Sequence, residues 1–524
     1  MVAKYKTPGV YITEVNAFPN SVVPVATAVP AFIGYTPQAE CEGKSYLNIP
    51  TKISSFSEFE AIFLFPQDPK SRVKPKQYFP QYYISESASE PMVGDYVAFG
   101  KTYYSIVPDP STIYYFYSSI RLFFENGGGE AYIVSVGTYG KPSGKPLSFI
   151  EPLVNPNVKL NELLQGLELL KEEQEPTIYI CPEATLLSLP NYQMLTQEML
   201  LQSSIMGTAI SILDVPGGRN PTQLNYGQGI EDFRNSTGMN GLSYGAAYYP
   251  FVATTILQPD DLDYTNLFGG DTVQLAKLVN PGAKDPQLNT LFDEMKEPVD
   301  SNLTTDQYNN ALTVSSALYK VLMSEIRDIS NLLPPSGGMA GVISMIDNQE
   351  GVWKAPANVS INGVKDLPIK LNESQQSGLN VDAMTGKSVN AIRVFPGMGV
   401  MVWGARTLDG NSLDYRYIPV RRTLIYIEQS CKLAAQAFVF EPNDQNTWTA
   451  VKSMISSFLA SLWKEGGLAG ARPEDAFSVD CGLGTTMTSN DILDGIMAFT
   501  IKVAITHPAE FIVITFQQQM AESA

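Results

Sequence analysis

The sequence predicts a multidomain protein of mixed α/β (α+β) class. Its 524 residues exceed what one hydrophobic core normally serves, so roughly two or three domains are expected. Between residues 131 and 214, short apolar runs alternate with helical patterns, which is typical of a largely parallel sheet covered by helices. Apolar segments near both chain ends predict strands that have no partner nearby in the sequence.

The first elements combine strand and helix signals. Residues 9–15 alternate apolar and polar side chains after a Pro-Gly pair, which predicts a strand close to the chain start. Residues 22–35 are apolar and β-branched and predict a strand that leads into a domain core. Phenylalanines at helical spacing predict a short helix over 54–63, with Ser55 or Ser57 as its N-cap.

The middle of the chain supplies the alternating elements. The predicted order is a helix over 114–124, a strand over 131–136, a helix over 160–173, a strand over 177–180, a helix over 189–206, and strands over 209–214 and 246–251. The Pro-, Ser- and Tyr-rich residues 69–110 predict short strands and turns inserted before this unit. A long helix over 305–332 precedes a Pro-Gly cluster at 334–338, which predicts a domain boundary.

The last part of the chain returns to apolar strands and adds two helices. The predicted elements are strands over 342–346 and 392–402, helices over 421–437 and 447–463, and strands over 497–505 and 511–516. Apolar residues of the second helix recur at steps of three and one, so one side of it faces a core. Its opposite face carries Lys452, Ser456 and Ser457, which remain available for another contact.

Charge and cysteine usage narrow the class of protein. The net charge of −18 argues against a nucleic-acid partner, because phosphate binding needs clustered Lys and Arg. From residue 390 onward there are 10 basic and 13 acidic residues, so most of the acidity lies before that point. A solvated surface explains this acidity, and an outward-facing part of an assembly is compatible with it. The four cysteines are far apart and predict free thiols in a reducing compartment.

No targeting or membrane segment is predicted. Pro8 and Gly9 stand where a secretory signal would have its apolar region. No stretch reaches the roughly 18 apolar residues that a membrane span needs. We therefore expect a protein that is made and kept in the cytoplasm unless a lysis or injection event releases it, and that does not insert into a membrane.

The sequence predicts no catalytic residue, metal site or cofactor. His507 is the single histidine and precedes Pro508 between two apolar strands, so a histidine-based triad is rejected. The Cys and His residues lack the close spacing of zinc ligands, and the acidic run 260–263 lacks the Gly and terminal Glu of an EF-hand loop. The glycines at 127–129 precede a strand, which favours a helix stop over a phosphate loop.

The strands at the two chain ends raise the question of their partners. Residues 497–505 predict a strand with one buried face, whereas residues 511–516 are apolar on both faces. A strand that is apolar on both faces is an aggregation hazard at a sheet edge unless it is paired. Burial in its own sheet is the commoner solution. The alternative is β-augmentation, in which a strand of one subunit completes a neighbour's sheet.

A series of motifs resembles the tail sheath family of contractile phages and contractile injection systems. In chain order they are TPGVYI at 7–12, TAVPAFIG at 27–34, FFENGGGEAYIV at 123–134, PPSGGMAG at 334–341, GVWKAPAN at 351–358, NAIRVFPGMGVMVWGARTL at 390–408, YRYIPVRRTLIYIE at 415–428 and HPAEF at 507–511. The resemblance is strong over the first 35 residues and over 330–524, recognisable over 112–252, and poor over 69–110 and 255–330. The order and number of the motifs carry it, since none is decisive alone.

The resemblance implies an inner domain that is built from the two ends of the chain and lies against a rigid tube, with α/β parts inserted and facing outward. The implied domains are an N-terminal strand arm at 1–20, an outer α/β domain at 21–68 and 111–335, an inserted β subdomain at 69–110, an inner tube-facing domain at 336–506, and a C-terminal strand arm at 507–524. Family members stack as hexameric rings in a helical sleeve, which contracts from a metastable extended state.

The resemblance also implies which residues meet neighbouring subunits and the tube. The residues expected to enter the sheets of adjacent subunits are Val10, Tyr11, Ile12, Thr13, Glu14, Val15, Phe511, Ile512, Val513, Ile514, Thr515 and Phe516. The polar helix face with Lys452 and Ser456 is the candidate tube contact. The implied partners are other copies of the chain, an inner tube protein, baseplate and terminator or cap proteins, and, as further candidates, sheath paralogues. Assembly is expected in the bacterial cytoplasm, as part of a phage tail or tail-like particle.

Two other classes remain open on the sequence. Residues 131–214 fit a doubly wound enzyme domain by pattern, although they lack a G-x-G-x-x-G fingerprint and a G-x-S-x-G elbow. A different self-assembling shell or surface-array protein also fits the composition. The expected products separate these classes, since a sheath forms striated tubes, a shell forms flat arrays and an enzyme forms monodisperse particles.

Overall fold

A computed structural model describes residues 21–67, 75–148, 151–296 and 304–513. The predicted strand at 9–15 and residues 514–516 of the last predicted strand lie outside these ranges. The chain divides into two compact units. The small unit comprises Met1–Val25 and Tyr426–Thr506, and the large unit comprises Ala26–Ile425 and His507–Ala524.

Eighteen strands in the described ranges form five sheets. In chain order they are β1 (Pro30–Thr36), β2 (Glu40–Cys41), β3 (Lys44–Ser45), β4 (Thr51–Ile53), β5 (Tyr82–Ser87), β6 (Asp95–Phe99), β7 (Thr102–Pro108), β8 (Ala131–Thr138), β9 (Ile178–Ile180), β10 (Ile210–Asp214), β11 (Gly245–Tyr249), β12 (Val252–Thr254), β13 (Leu332–Leu333), β14 (Val364–Asp366), β15 (Asn390–Phe395), β16 (Gly399–Val402), β17 (Phe477–Asp480) and β18 (Thr500–Val503).

Fifteen α-helices accompany them in the same ranges. They are α1 (Phe56–Phe63), α2 (Phe116–Glu125), α3 (Leu160–Leu169), α4 (Leu189–Met206), α5 (Tyr226–Ser236), α6 (Thr272–Val279), α7 (Pro286–Lys296), α8 (Thr305–Ser315), α9 (Ala317–Ser330), α10 (Ser336–Glu350), α11 (Glu373–Asn380), α12 (Ile418–Gln436), α13 (Gln445–Lys464), α14 (Pro473–Ala476) and α15 (Ser489–Leu493). Among the described helices, none combines the length and apolarity that crossing a membrane requires.

An eight-stranded sheet organises the large unit. Its order is β16-β15-β11-β10-β9-β1-β8-β4, with parallel pairing from β15 to β8 and antiparallel strands at both edges. Every residue of β1, β9, β10 and β11 is buried, as expected when helices cover both faces of a parallel sheet. The predicted mixed α/β fold with a largely parallel sheet is therefore confirmed.

Local signals account for the helices whose bounds were predicted well. Ser55 caps α1 by accepting a hydrogen bond from the N–H of Glu58 at 3.3 Å. The helix α4 has the predicted bounds and ends at Gly207, whose φ of 62° is the left-handed conformation that glycine adopts without strain. Residues 82–108 form the three-stranded antiparallel sheet β5-β7-β6, in agreement with the strands and turns predicted for this stretch.

The prediction of a single long helix over 305–332 is wrong. The structure has two helices, α8 and α9, separated at Ser316. The Ser316 side chain accepts a hydrogen bond from the N–H of Tyr319 at 3.2 Å and so begins a new helix. Serine competes for backbone hydrogen bonds in this way, and an apolar periodicity that continues through the break conceals it.

The strand predicted over 342–346 is also wrong, because these residues lie within the buried helix α10. Two glycines of this helix fit closely against α2. A Cβ at Gly337 would lie 2.5 Å from the carbonyl oxygen of Ser119, and one at Gly341 would lie 2.4 Å from that of Phe123. The glycines allow the two helix backbones to approach each other. Their contact decides the conformation of an apolar run that periodicity alone leaves ambiguous.

Replacing Gly341 with Ala is expected to destabilise the folded protomer by about 1–3 kcal/mol, because the added methyl group overlaps the α2 backbone. Urea unfolding of the purified chain measures the change. Gly378→Ala is the matched control, since a Cβ at this helical glycine of α11 meets no atom within 4 Å. The control should gain about 0.5–1 kcal/mol from helix propensity. Equal effects of the two substitutions would contradict close packing at Gly341.

The division into units differs from the predicted boundary between residues 335 and 336. Residues after that point remain in the large unit, because β15 pairs with β11 and α10 packs on α2. The small unit begins again only at Tyr426. A Pro-Gly cluster therefore marks a turn into a core helix here and does not mark a linker.

The small unit contains the predicted amphipathic helix. In α13 the apolar stripe is buried, as predicted, and the helix is capped by Asp444, which accepts from the N–H groups of Asn446 and Thr447. The strands β17 and β18 pair antiparallel, with Val479 opposite Ile501. Along β18, Ile501 and Val503 are less exposed than Thr500 and Lys502, so the predicted alternation is present.

Candidate functional site

The predicted strand-exchange residues divide into a described and an undescribed part. Val10–Val15 and Ile514–Phe516 lie outside the described ranges. Phe511, Ile512 and Val513 are described, and they are 71%, 80% and 88% exposed. Three consecutive large apolar side chains with this exposure form a patch of the kind that marks an interaction site.

The segment that precedes this patch is attached to the large unit through Glu510. Its carboxylate accepts hydrogen bonds from Arg406 Nε at 3.0 and 3.1 Å and from Arg406 Nη2 at 2.6 Å. Asn380 Nδ2 and the Tyr417 hydroxyl donate to the same carboxylate at 2.7 and 3.0 Å. Burial alone would raise the pKa of Glu510, but the hydrogen bonds from Arg406 and Asn380 lower it, so the carboxylate is charged.

Arg406 is in turn fixed to the central sheet. Its side chain is only 4% exposed. The buried Asn390 of β15 accepts from the Arg406 N–H and donates to the Arg406 carbonyl, both at 2.8 Å. Asn390 Nδ2 also donates to the carbonyl of Ala247 in β11 at 3.0 Å. A continuous set of hydrogen bonds therefore joins the sheet to residue 510.

The small unit exposes apolar residues of its own. Phe440 is fully exposed and has a φ of 73°, which is uncommon for an aromatic residue. Val439 is 60% exposed, and the neighbouring Asn443 donates to the carbonyl of Ile496, itself 50% exposed. Leu493 is 84% exposed. These residues form a second candidate contact surface, which periodicity did not single out.

The polar face of α13 is where the sequence placed the candidate tube contact. Lys452 is exposed and Ser456 is half-buried. The hydroxyls of Thr449, Ser457 and Ser461 donate to carbonyls four residues earlier in the same helix, at 2.8, 2.8 and 3.2 Å. Because these hydroxyls are satisfied internally, the face presents short side chains around the Lys452 charge.

At the carboxyl edge of the parallel sheet, where α/β enzymes usually bind their ligands, two helix N-termini meet buried carboxyl groups. Asp214 at the end of β10 accepts from the N–H and the hydroxyl of Ser336 at 2.9 and 2.5 Å, and so caps α10. Glu183 accepts from the N–H of Phe116 at 3.1 Å, at the start of α2. These acids therefore hold helices at positions where an enzyme would hold substrate.

His507, the acidic residues and the cysteines were considered for catalysis or metal binding from the sequence. His507 lies edge-on to Tyr417, with ring centroids 6.1 Å apart. Among the described residues no group of three or more His, Cys, Asp or Glu could hold a metal ion. The four cysteines are free thiols, with Cys181 and Cys431 buried and the other two half-buried.

The Arg406–Glu510 pair was missed by the sequence reasoning. Both residues stand inside motifs that were recognised, the run at 390–408 and the HPAEF motif at 507–511. A charged residue within an otherwise apolar motif was the available signal. Nothing local indicates the partner, because 104 positions separate the two residues.

Comparisons with known proteins connect these observations to a family. The family model described as phage tail sheath protein central domain matches residues 278–408. The model described as phage tail sheath C-terminal domain matches residues 411–519. The tail sheath protein of Vibrio phage KVP40 is 26% identical over 177 residues, which are 33% of this chain and 26% of that protein. The match thus spans about a quarter of that relative's length.

Solved structures match over almost the whole chain. The helical sheath of the anti-feeding prophage in its contracted state has a TM-score of 0.57 and 26% identity, over 98% of this chain and 100% of that chain. The sheath complex of the extracellular contractile injection system PVC in its contracted state has a TM-score of 0.56 over 99% of both chains. At 24% identity, this second likeness concerns the fold alone.

Proposed function

This chain belongs to the tail sheath family, and we propose that it is the structural subunit of a contractile sheath. In this proposal the subunits polymerise as stacked hexameric rings around an inner tube. The sleeve is metastable when extended, and it shortens to drive the tube through a target envelope. The role is structural, and no catalytic residue is assigned.

One observation carries the proposal. The fold of nearly the whole chain matches a protein solved as a contracted helical sheath, and that likeness covers all of the other chain. A subunit that shares this overall fold over nearly its whole length is suited to build the same kind of assembly. The exposed apolar residues at 511–513 add a surface that association with another copy would bury.

We place the exchanged strands at residues 10–15 and 511–516. The strand β18 has only β17 beside it among the described strands of its sheet, and a two-stranded sheet is marginal alone. Strands from neighbouring subunits would extend such a sheet and bury its apolar face. Main-chain hydrogen bonds formed in this way persist while other contacts between subunits rearrange.

For the domain arrangement we propose that the small unit is the inner part of the subunit. It joins the segment before Ala26 to Tyr426–Thr506, which fits an inner domain built from both chain ends. It also contains α13, whose polar face is the candidate tube contact. The α/β portion of the large unit, together with the sheet β5-β7-β6, would then face outward. The proposed partners are further copies, an inner tube, baseplate and terminator proteins, and sheath paralogues where a particle has them. Assembly would take place in the bacterial cytoplasm.

Replacing Lys452 with Glu is expected to lower the amount of sleeve that assembles on tubes by about tenfold, because charge reversal within a charge-complementary contact opposes association. Co-sedimentation of the purified chain with inner tubes measures the effect. Lys432→Glu is the matched control, since Lys432 is an exposed lysine of α12 in the same unit. Unchanged assembly of the Lys452 variant on tubes would count against the proposed tube contact.

Electron microscopy of the purified full-length chain tests the proposal as a whole. Striated hollow tubes, with the subunits arranged as stacked rings, are expected. Flat arrays would instead favour another self-assembling shell protein. Monodisperse particles at all concentrations would return an α/β enzyme to consideration.

A further inference from the structure

We propose that Glu510 is a positioning residue that ties the C-terminal arm to the large unit, so that the arm leaves each subunit from a fixed point. This inference rests on the proposed function, since it concerns the arm that would join neighbouring subunits. The contact made by Glu510 would transmit a movement of the large unit to that arm. The pair Arg406–Glu510 supplies the link.

The chain passes from the small unit to the large unit a few residues before Glu510. Residues up to Thr506 belong to the small unit, whereas His507 and the residues after it belong to the large unit. The exposed apolar residues begin at Phe511, directly after Glu510. Glu510 holds the segment to the large unit, and the next residue, Phe511, is the first that is available to a partner.

The link has the geometry of a strong charged contact. Two nitrogens of one guanidinium hold both carboxylate oxygens, which fixes orientation as well as distance. The Tyr417 hydroxyl and the Asn380 amide occupy the remaining acceptor positions. Arg406 and Tyr417 are themselves held opposite each other by an antiparallel bridge. The carboxylate therefore has little freedom to turn.

The other end of the link is the central sheet. Asn390 forms hydrogen bonds with both the N–H and the carbonyl of Arg406, and it donates a further hydrogen bond to β11. In addition, Asn390 of β15 pairs with Tyr248 of β11 in the sheet. A pull on residues 511–513 would pass through Glu510 and Arg406 into an eight-stranded sheet. Without this link, the pull would act on the polypeptide between the two units. The geometry thus assigns the load to the hydrogen-bonded central sheet.

The experiment compares sleeve formation by the wild-type chain, Glu510→Gln, Tyr417→Phe, Arg406→Ala, Glu510→Ala and the double Ala variant. Sleeves are quantified by sedimentation and electron microscopy, and the thermal melting of each soluble full-length protomer is recorded. Glu350→Gln is the control, since Glu350 forms an exposed ion pair with Lys354 in the same unit.

The expected result for Glu510→Gln is about a tenfold loss of sleeves per folded protomer, with a lowered melting temperature because the buried Arg406 charge loses its carboxylate. A smaller loss of sleeves, at a nearly unchanged melting temperature, is expected for Tyr417→Phe. The double Ala variant should lose no more than either single variant, because the two residues act as one pair. Wild-type sleeve yield in both Glu510→Gln and Tyr417→Phe would overturn the inference. If Glu510→Gln unfolds, a normal yield in a well-folded Tyr417→Phe would overturn it as well. In each of those cases the proposed function stands. A wild-type chain that forms no sleeves would contradict both the proposed function and this inference.

Discussion

Deleting residues 1–16 is expected to abolish sleeve formation while the protomer stays folded. In the proposed assembly, this segment supplies a strand to the sheet of a neighbouring subunit. Among the described residues, the hydrophobic core of the large unit starts at Val29, and we expect this core to form in the deletion variant. The loss should be close to complete, because each interface lacks a whole ladder of main-chain hydrogen bonds.

Two measurements on the deletion variant separate assembly from folding. Sedimentation and negative-stain microscopy report sleeves, and circular dichroism with a thermal melt reports the fold. The point variant Ile12→Pro should act in the same direction, since proline cannot donate to a strand ladder, whereas Ile12→Val keeps the strand pattern and serves as its matched control. Normal sleeves from the deletion variant would remove the N-terminal arm from the proposal.

The sequence predicted the elements whose conformation is set by neighbouring residues. It missed those whose conformation is set by residues that are distant in the sequence. The bounds of α4 were predicted correctly, and the structure shows local signals at both ends, a Pro near its start and Gly207 after its last turn. The helix α10 was mistaken for a strand because its conformation depends on glycine contacts with α2, more than 200 positions away in sequence. Residues whose conformation is set by distant partners give no periodic signal.

The same distinction applies to the candidate site. The apolar character of residues 511–516 on both faces predicted a strand that needs a partner. The described residues Phe511, Ile512 and Val513 are exposed and do not form a strand within the single chain, so strand exchange stays a prediction. The attachment of this segment through Arg406 could not be predicted, because an ion pair has no spacing rule across 104 positions. The burial of Glu183 could not be predicted either, since an isolated glutamate is normally read as a surface residue.

The large unit is expected to lose stability as the pH rises from about 5 to 8. Burial raises the pKa of Glu183 from 4.5 to about 8, although hydrogen bonds from the backbone of Phe116, Tyr35 and Tyr115 oppose the shift. The carboxyl is enclosed so closely that a Cβ at Gly34 would lie 2.1 Å from its Oε2. Burial likewise raises the pKa of Asp214 from 3.8 to about 7, against the hydrogen bonds from Ser336.

The sign follows from proton binding by the two states. Below pH 4.5, Glu183 is protonated in both the folded and the unfolded chain, so it makes no difference to the pH dependence. Between 4.5 and about 8 the folded state keeps the proton and the unfolded state has released it, so stability falls as the pH rises. The difference between these two pKa values corresponds to a loss on the order of 5 kcal/mol once the pH exceeds the folded pKa.

Urea unfolding between pH 5 and 8.5, followed by hydrogen exchange in peptides from α2, measures this loss in the large unit. Glu183→Gln cannot ionise and should reduce the slope to the part that Asp214 contributes. Glu172→Gln, which removes an exposed carboxyl in the same unit, should leave the slope unchanged. A slope that is undiminished in Glu183→Gln would show that this carboxyl is not a source of the pH dependence. The N-terminus of α2 favours the ionised carboxylate, whereas enclosure favours the neutral acid. The size of the slope therefore measures by how much enclosure dominates.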